Sequence, residues 1–441
     1  MALNFSSRLN LDDTKTATKN KEIEKMKGSE LIHIPLVCKS GNECEPIVKA
    51  GELVTVGQKI GDTKNLREVP VHSSVSGKVK SVAPKIHSSG AEVMTITIEN
   101  DFLETVCETN APKNYEEMSQ EEVVIAIREA GIIGHGGGEF PAHAKISLSV
   151  DQVETIIINA TECEPYITAD YRLLVENANE IIGGAKIIKK VLDAKDVTIA
   201  VNKKNKSAFA GLNQAITDAK ITAQIKTVSS SYGQGFENNL IRTLEKKTVA
   251  KGQYPTDVNC VVFNVGTLVA IYNLFNAGTP DISRVVTVSG SAIANPKNIS
   301  APIGTTIGSL IECAGGFIED PNKIVMGGPL MGTAQFSLDV PISAGTNGVL
   351  AFCKNEDKRI KNPACLRCGK CVSVCPIGLS PVHMNLYANK GMVTEFEEIG
   401  GTDCIECGAC SYVCPARIQL VQQFKTTKQK VADLVSEQEE K

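Results

Sequence analysis

The chain has 441 residues, 42% of them hydrophobic, so it is long enough for three or four globular domains. Lys and Arg number 46 and Asp and Glu 50, a formal charge of −4, which argues against a nucleic-acid-binding protein because such proteins are normally basic. The sequence has no apolar run of about 18 residues, the length needed to cross a bilayer. The first 27 residues are too polar for a signal peptide, so we expect a cytoplasmic protein. Its 15 cysteines then point to metal binding rather than disulfides.

Residues 1–28 form a polar tail that we expect to be disordered or loosely helical. Residues 29–105 change to short β-like pieces divided by glycines, with apolar and polar residues alternating over 46–61 and a further strand at 93–98. This region resembles the barrel-sandwich hybrid domain of lipoyl and biotinyl carriers. Lys78 matches the cofactor lysine of those carriers but lacks their surrounding motif, so we interpret the domain as a scaffold and Lys78 as a solvated surface lysine.

Residues 113–280 alternate helix and strand, as an α/β domain does. Ser119 with Glu122 forms a capping box that predicts the start of a helix. A glycine-rich loop follows at 134–145, and an apolar run at 155–159 predicts a buried strand. The later predicted elements are a helix at 170–192 and a strand at 197–201.

Residues 281–345 are rich in glycine, with short β pieces and one helical stretch, which predicts a small α+β domain. Two cysteine runs follow within residues 355–424, and an amphipathic helix is predicted at 425–441. Each run reads C-x₂-C-x₂-C-x₃-C-P, the pattern that holds [4Fe–4S] clusters in bacterial two-cluster ferredoxins. The runs consist of Cys365, Cys368, Cys371, Cys375 and Pro376, and of Cys404, Cys407, Cys410, Cys414 and Pro415.

The spacing within each run also predicts which cysteines share a cluster. The first three thiolates of a run can face one cubane from a single loop, whereas the fourth is carried away on the following helix and binds the other cluster. Zinc sites or disulfides are the alternative, but zinc sites usually show separated C-x₂-C pairs. We therefore predict one cluster on Cys365, Cys368, Cys371 and Cys414, and the other on Cys404, Cys407, Cys410 and Cys375.

The glycine-rich loop begins Gly134-His-Gly-Gly-Gly138 and ends at Lys145. It is not the dinucleotide fingerprint G-x-G-x-x-G, which needs glycine where this chain has Glu139 and follows a strand rather than a helix. A glycine loop can still bring backbone N–H groups close to an anion, and Lys145 can add a charged contact to a phosphate or a flavin carbonyl. A plain tight turn is the alternative.

The loop is similar to the flavin loop of the complex I flavin subunit, which reads G-R-G-G-A-G-F-P-T-G-x-K. The matching residues are Gly134, Gly136, Gly137, Phe140, Pro141 and Lys145. Residues 159–165 resemble that subunit's N-x-D-E-x-E-P-G strand end, and 232–241 and 264–268 resemble two further stretches. With the sandwich domain and the two cluster motifs, the domain order over roughly residues 30–425 resembles the C subunits of Rnf complexes and their soluble relatives.

The resemblance implies a multidomain α/β and α+β fold. Its parts are a barrel-sandwich hybrid (29–105), a complex-I-type flavin domain (113–280), a soluble-ligand-binding β-grasp module (281–345) and a ferredoxin-like α-helical domain with two clusters (355–424). It implies that Gly134, Gly136, Gly137 and Lys145 cradle FMN, with Asn264 and Thr267 on the flavin phosphate. Asn159, Glu162 and Glu164 would line the flavin and nicotinamide side, and Phe140 would stack on the adenine of NADH.

The implied activity is electron transfer between NAD(H), through FMN, and two [4Fe–4S] clusters. A flavin is needed because nicotinamide moves two electrons and a cluster moves one. The implied partner is a ferredoxin or the iron–sulfur subunit of an Rnf complex, which couples ferredoxin and NAD chemistry to ion transport. The protein would sit peripherally on the cytoplasmic face of that membrane complex.

Other functions fit the same motifs. Soluble relatives of this family carry electrons to a reductase, such as proline reductase or a corrinoid reductase. A scaffold and electron wire with a degenerate nucleotide site is a further candidate, because Gly138-Glu139 replaces the family's A-G and a carboxylate there would repel a pyrophosphate. A cluster-based sensor would need a nucleic-acid or effector module, which the charge balance does not suggest.

Overall fold

The computed structural model of the protein describes residues 9–37, 43–150, 152–356, 360–361 and 363–439, except for the side chains of 436–439. Within this part of the chain, four sheets precede a helical C-terminal region.

Short strands dominate the first hundred residues. In chain order they are β1 (Ile23–Lys25), β2 (Leu31–Pro35), β3 (Glu45–Pro46), β4 (Leu53–Val54), β5 (Lys59–Asp62), β6 (Val71–His72), β7 (Gly77–Ile86) and β8 (Glu92–Asn100). One sheet has the order β2-β8-β7-β4 and a second the order β3-β5-β6, with a common core of aliphatic side chains that includes Ile34, Ile60 and Ile98. This is the barrel-sandwich arrangement expected from the sequence, and Lys78 is exposed on β7 as predicted.

The next region is an α/β domain built on a parallel sheet. Its elements are α1 (Gln120–Glu129), α2 (Ala142–Ser147), β9 (Thr155–Ala160), α3 (Ala169–Glu176), α4 (Ala178–Leu192), β10 (Asp196–Asn202), α5 (Phe209–Ala219), β11 (Gln224–Val228), α6 (Glu237–Glu245), β12 (Cys260–Asn264) and α7 (Val265–Ala277), with 3₁₀ turns at Lys203–Ala208 and Pro255–Val258. The strand order is β11-β10-β9-β12, and every pairing is parallel.

Local signals in this domain are mostly confirmed. The capping box is present, because the Ser119 side chain accepts from the Glu122 N–H and the Glu122 carboxylate accepts from the Ser119 N–H. The single helix predicted over 170–192 is wrong, since the chain forms α3 and α4 with Asn177 between them at φ −120° and ψ 35°. Asparagine has a low helix propensity, which favours such a break, and the Asn177 side chain makes no capping hydrogen bond here.

A third sheet combines the N-terminal strand β1 with strands from residues 283–352. The elements of the third domain are β13 (Ser283–Ser289), β14 (Lys297–Pro302), α8 (Ile307–Cys313), β15 (Lys323–Met326), β16 (Thr333–Gln335) and β17 (Gly348–Phe352), followed by a 3₁₀ turn at Lys354–Glu356. The sheet order is β1-β14-β13-β17-β15-β16, and its core includes Val286, Ile299 and Val349.

The N-terminal segment departs from the sequence prediction. Strand β1 pairs in parallel with residues 298–300 of β14, at the edge of the third sheet. The expectation of a disordered or loosely helical tail is therefore wrong for this strand, while residues 1–8 lie outside the described chain. Strand pairing uses backbone groups, so a polar edge strand leaves little trace in hydrophobic pattern.

Lys15 in the same segment contacts the buried carboxyl group of Glu162, beyond the end of β9. Its Nζ lies 2.7 Å from the backbone oxygen of Glu162 and 3.3 Å from Oε2, and the two side chains are 12% and 4% exposed. The other carboxylate oxygen accepts from the Asp170 N–H at 2.8 Å. Burial raises the pKa of Glu162 to about 7, although the charge of Lys15 opposes this shift.

The C-terminal region consists of short helices around the cysteine runs and one longer helix. They are α9 (Lys370–Ser373), α10 (Pro381–Lys390), α11 (Val393–Glu398), α12 (Ala409–Tyr412) and α13 (Leu420–Glu439), with a 3₁₀ turn at Gly401–Asp403. Met384, Phe396 and Phe424 form the buried centre of this region. Among the helices of the described chain, none is long and apolar enough to cross a membrane.

Close helix packing in the α/β domain predicts opposite effects for one substitution at two glycines. A Cβ at Gly184 of α4 would lie 2.1 Å from the carbonyl oxygen of Leu268 in α7, whereas at Gly211 of α5 the nearest atom is 3.9 Å away. Gly184→Ala should destabilise the protein by about 1–3 kcal/mol through overpacking, and Gly211→Ala should stabilise it by roughly 0.5–1 kcal/mol. Anaerobic thermal unfolding measures both, and equal midpoints for the two variants would contradict the packing argument.

The raised pKa of Glu162 predicts a pH-dependent stability. The charged groups that interact electrostatically with this carboxyl group are Lys15, Asp170 and Arg284. Because the folded state holds the proton up to about pH 7 and the unfolded state releases it near the ordinary value of 4.5, stability should fall as pH rises through that window.

The test compares wild type with Glu162→Gln in thermal unfolding at about pH 6 and about pH 8. The stability advantage of wild type over Glu162→Gln should shrink at the higher pH. Glu154→Gln is the control, because this exposed carboxylate pairs with Lys195, which lowers its pKa, so that it stays ionised at both pH values. An advantage that is equal at both pH values would contradict the burial of a protonated Glu162.

Candidate functional site

The parallel sheet places a ligand-binding edge between β9 and β12. The chain runs outward from β9 through β10 to β11 and then returns to the other side of β9, so the strand order reverses there. Open α/β sheets bind ligands outside the carboxyl ends of the strands at such a point. Asn159 and Asn264 are register partners at these strand ends, and both line a cavity of about 600 Å³, which we call the edge cavity. Its volume is in the range of cofactor sites.

The glycine-rich loop forms one wall of the edge cavity. The glycines that line it are Gly134, Gly136 and Gly138. Gly137 lies in the same turn at φ 83°, a conformation that glycine adopts without strain. Thr267 of α7 holds the loop, because its Oγ1 accepts from the His135 N–H at 2.9 Å. Because the glycines of this wall have no side chains, a flat ring can lie directly against their backbone, which fits a flavin.

A buried network of charged residues around Arg284 holds the glycine-rich loop in place through His135. Arg284 is 2% exposed; its Nη2 donates to the His135 carbonyl at 2.8 Å, and its Nη1 lies 3.1 Å from His135 Nδ1. His135 Nε2 lies 2.8 Å from Asp281 Oδ2. Asp170 accepts from Asn264 Nδ2 at 2.6 Å and faces Arg284 at 3.8 Å. Burial lowers the pKa of Arg284, but Asp170 and Asp281 oppose this shift and help to keep the guanidinium charged.

Lys145 and Phe140 also line the edge cavity. Lys145 Nζ donates to Glu237 Oε1 at 2.9 Å and to the Val262 carbonyl at 2.8 Å, so the lysine is tethered at the cavity wall. Phe140 is 49% exposed and is therefore not a core residue. Its position leaves the ring free to contact a ligand, and the adenine-stacking role stays a prediction.

Glu139 is turned toward the third domain. It has a φ of 51°, which is uncommon for a side chain with a Cβ, and its Oε1 accepts from Ser343 Oγ at 2.7 Å. A Cβ at Gly345 would lie 2.1 Å from the same carboxylate oxygen. Although Glu139 borders the edge cavity, its carboxylate is engaged by the loop around residue 343 rather than by the glycine loop.

Glu162 and Glu164 do not line the edge cavity. Glu162 is bound by Lys15 and the Asp170 N–H, as described above. The carboxylate of Glu164 accepts from the N–H groups of Leu330 and Met331 at 3.2 and 3.0 Å. Burial raises the pKa of Glu164 to about 7, which those two hydrogen bonds oppose. Glu162 therefore joins the N-terminal segment to the α/β domain, and Glu164 joins the α/β domain to the third domain, instead of facing the cavity.

The other domains complete the edge cavity. Met331 comes from the third domain, and Ile377 and Ile405 come from the cysteine region. Ile377 and Ile405 also line a smaller cavity surrounded by cysteines. The edge cavity and one cysteine cavity thus share two isoleucines as a wall, which is the short contact that electron transfer needs.

The eight cysteines of the two runs surround two separate cavities. Ile377 and Ile405 border the one that we call the proximal cage, and the other is the distal cage. The proximal cage consists of Cys375, Cys404, Cys407 and Cys410, and the distal cage of Cys365, Cys368, Cys371 and Cys414. These are the two sets predicted from the spacing, with the fourth cysteine of each run exchanged, although ligation itself stays a prediction.

The arrangement of the thiols fits cubane clusters better than single metal ions. Among the described residues, no three His, Cys, Asp or Glu side chains are placed to hold one ion, as a zinc site requires. In a cubane each cysteine binds a different iron, so four thiols around a cavity are suitable. Backbone N–H groups of Arg367, Leu379 and Glu406 donate to Sγ of Cys365, Cys375 and Cys404 at 3.3–3.4 Å, and such bonds tune cluster potentials.

Several residues of the site were not predicted from the sequence. They are Lys15, His135, Asp170, Tyr232, Asp281, Arg284, Ile377 and Ile405. The polar residues among them have partners far away in the sequence. Three of the residues carried a signal: His135 lies inside the glycine loop, Tyr232 begins the 232–241 stretch, and Ile405 lies inside the second cysteine run.

Four family models match the chain. They are the RnfC barrel sandwich hybrid domain at residues 3–103, the Nuo51 FMN-binding domain at 127–273, the SLBB domain at 285–334 and the 4Fe-4S dicluster domain at 357–415. The expected fold class is therefore confirmed, together with FMN and [4Fe–4S] clusters as the cofactors of the second and fourth domains.

Similar proteins cover nearly the whole chain. The C subunit of the proton-translocating ferredoxin:NAD(+) oxidoreductase complex of Clostridium ljungdahlii is 37% identical, over 90% of this chain and 87% of its own. The C subunit of the Na(+)-translocating complex of Acetobacterium woodii is 38% identical, over 92% of each chain. The C subunit of the ion-translocating oxidoreductase complex of Rhodobacter capsulatus is 37% identical, over 95% of this chain and 81% of its own. The chain therefore belongs to the family of Rnf complex C subunits.

Proposed function

We propose that this chain is the flavo-iron–sulfur subunit of an Rnf-type ferredoxin:NAD oxidoreductase and carries electrons between NAD(H) and a ferredoxin-type partner. The observation that carries the proposal is the wall of Ile377 and Ile405 shared by the edge cavity and the proximal cage. A cofactor cavity at a sheet edge and a cysteine cage in direct contact form the arrangement that passes electrons from a two-electron donor to one-electron carriers.

The residues around the edge cavity would hold FMN. Bound FMN supplies the exchange between the two-electron chemistry of nicotinamide and the one-electron chemistry of clusters. Gly134, Gly136 and Gly137 would present backbone to the ring, and Lys145 would add positive charge at the rim. Asn159 orients the opposite wall, because its Nδ2 donates to the Gly235 carbonyl at 2.8 Å. The hydroxyl of Thr267 and the amide of Asn264 position the glycine loop and the start of α7, near where the flavin phosphate would lie.

The cages have different surroundings, which supports an order of electron flow. In the proximal cage Cys375, Cys407 and Cys410 are buried, whereas Cys365 and Cys368 of the distal cage are exposed. The proximal cage would exchange electrons with the flavin, and the distal cage with the partner protein. Exposed ligands suit a docking surface, because a partner's own cofactor can then approach closely.

The partner would be a ferredoxin or the iron–sulfur subunit of the same complex, with NAD(H) at the edge cavity. Ion translocation belongs to the whole complex, and this chain would contribute its oxidoreductase part from the cytoplasmic face of the membrane. A soluble reductase remains the alternative partner. The hydrogen bond from Ser343 to Glu139 favours an accessible nucleotide site over a degenerate one, because it holds the carboxylate toward the third domain instead of the glycine loop.

The first test is anaerobic purification followed by flavin and iron analysis and titration with NADH. Bound FMN, about eight irons per chain and bleaching of the flavin by NADH are the expected results. Iron without flavin, or a flavin that NADH cannot bleach, would contradict the proposal and support the alternative of an electron wire with a degenerate nucleotide site. Glu139→Gly is the matched variant: it should leave bleaching unchanged, whereas bleaching that appears only in Glu139→Gly would establish the degenerate site.

A second test concerns the order of the clusters. Cys368→Ala removes a ligand of the distal cage and Cys404→Ala one of the proximal cage. NADH should reduce the remaining proximal cluster of Cys368→Ala at about the wild-type rate. The remaining distal cluster of Cys404→Ala should be reduced at least about tenfold more slowly, because the intermediate carrier is missing. Freeze-quench EPR measures both rates, and the reverse pattern would reverse the order.

A further inference from the structure

Tyr232 connects the α/β domain to the proximal cage. The side chain is 2% exposed, and its Oη lies 2.5 Å from the backbone oxygen of Cys407 and 3.3 Å from Oε1 of Glu164. A phenol has one proton to donate, and the shorter contact identifies the Cys407 carbonyl as the acceptor. The hydroxyl of a residue outside the cysteine motif therefore bonds directly to the backbone of a predicted cluster ligand.

The phenol is held from several directions. Its own N–H donates to the Leu9 carbonyl at 2.8 Å, and its ring packs edge-on against Phe236 with centroids 5.7 Å apart. Glu164, on the other side of the hydroxyl, is fixed by the backbone N–H groups of Leu330 and Met331. A side chain fixed this way imposes its position on the Cys407 loop instead of following it.

The glycine after the second cysteine of each run is closely packed in the proximal cage but not in the distal cage. Gly408 follows Cys407, and a Cβ there would lie 2.5 Å from the Leu330 carbonyl oxygen. Gly369 follows Cys368 at the same place in the first run, and a Cβ there would meet nothing within 4 Å. Both glycines have similar φ values of 78° and 74°, so the two loops share a conformation and differ in what lies against them.

We propose that Tyr232 is a positioning residue that docks the proximal-cage loop on the α/β domain and raises the reduction potential of the proximal cluster. The positive end of its O–H dipole points at the Cys407 peptide, and reduction adds negative charge to the cluster, so the hydrogen bond favours the reduced state. This role rests on the proposed function, because it requires a cluster on Cys375, Cys404, Cys407 and Cys410.

Tyr232→Phe removes the hydroxyl and keeps the ring. In anaerobic redox titrations followed by EPR, the ratio of reduced to oxidised proximal cluster at a fixed potential should fall about three- to tenfold, the effect of one ordinary hydrogen bond. The distal cluster should be unchanged. Tyr412→Phe is the control, because Tyr412 lies in the second cysteine run but is 51% exposed. A ratio within about twofold of wild type in Tyr232→Phe would overturn the proposal.

Iron analysis and one further variant separate the possible failures. Wild-type protein without clusters would refute the proposed function, and the proposed role of Tyr232 would fail with it. If Tyr232→Phe loses only the proximal cluster, the docking role is supported. If it loses both clusters, Tyr232→3-fluorotyrosine decides: this stronger donor should shift the proximal ratio upward, opposite to Phe, and an unchanged ratio would overturn the proposal. Hydrogen–deuterium exchange gives an independent sign of a released loop. Relative to wild type, exchange in Tyr232→Phe should become faster at residues 404–412 but not at residues 365–375.

Discussion

The carboxyl edge of the parallel sheet meets the proximal cage, and the arrangement of the other domains follows from this contact. Electron transfer requires two cofactor sites at close, constant separation, and here two isoleucines form a wall that is common to the two cavities. Van der Waals contact alone would let the domains slide. Directional bonds from Tyr232 and Glu164 prevent this, because buried hydrogen bonds weaken steeply when their geometry is lost.

The buried charged network fixes the glycine loop in one arrangement. Arg284 comes from the third domain, Asp170 from α3 and His135 from the glycine loop, so this wall of the edge cavity is held by groups from three parts of the chain. A buried ion pair contributes little net stability compared with apolar packing, but it specifies one arrangement, since any other leaves a charge without a partner. The glycines of the loop have no side chains to fix their position, so this network, which holds the loop through His135, supplies the specificity.

Features encoded within a few residues could be predicted from the sequence, and features that join distant residues could not. The cysteine spacing indicated two cages with exchanged fourth members, and the capping box indicated the start of α1. Glu162 and Glu164 match a family motif, yet Lys15 and the Leu330–Met331 backbone hold them away from the edge cavity. Nothing near either glutamate in the sequence identifies those partners, because they lie 147 and more than 160 residues away.

The N-terminal segment carries a consequence for how the chain folds during synthesis. Strand β1 and Lys15 are made before their partners, which are residues 298–300 and Glu162. The ribosome must therefore release most of the α/β domain and the start of the third domain before this segment can be placed. Until then β14 presents an open sheet edge, which invites pairing with other chains. This segment is thus translated before its partners but placed after them, and it closes the edge that would otherwise favour aggregation.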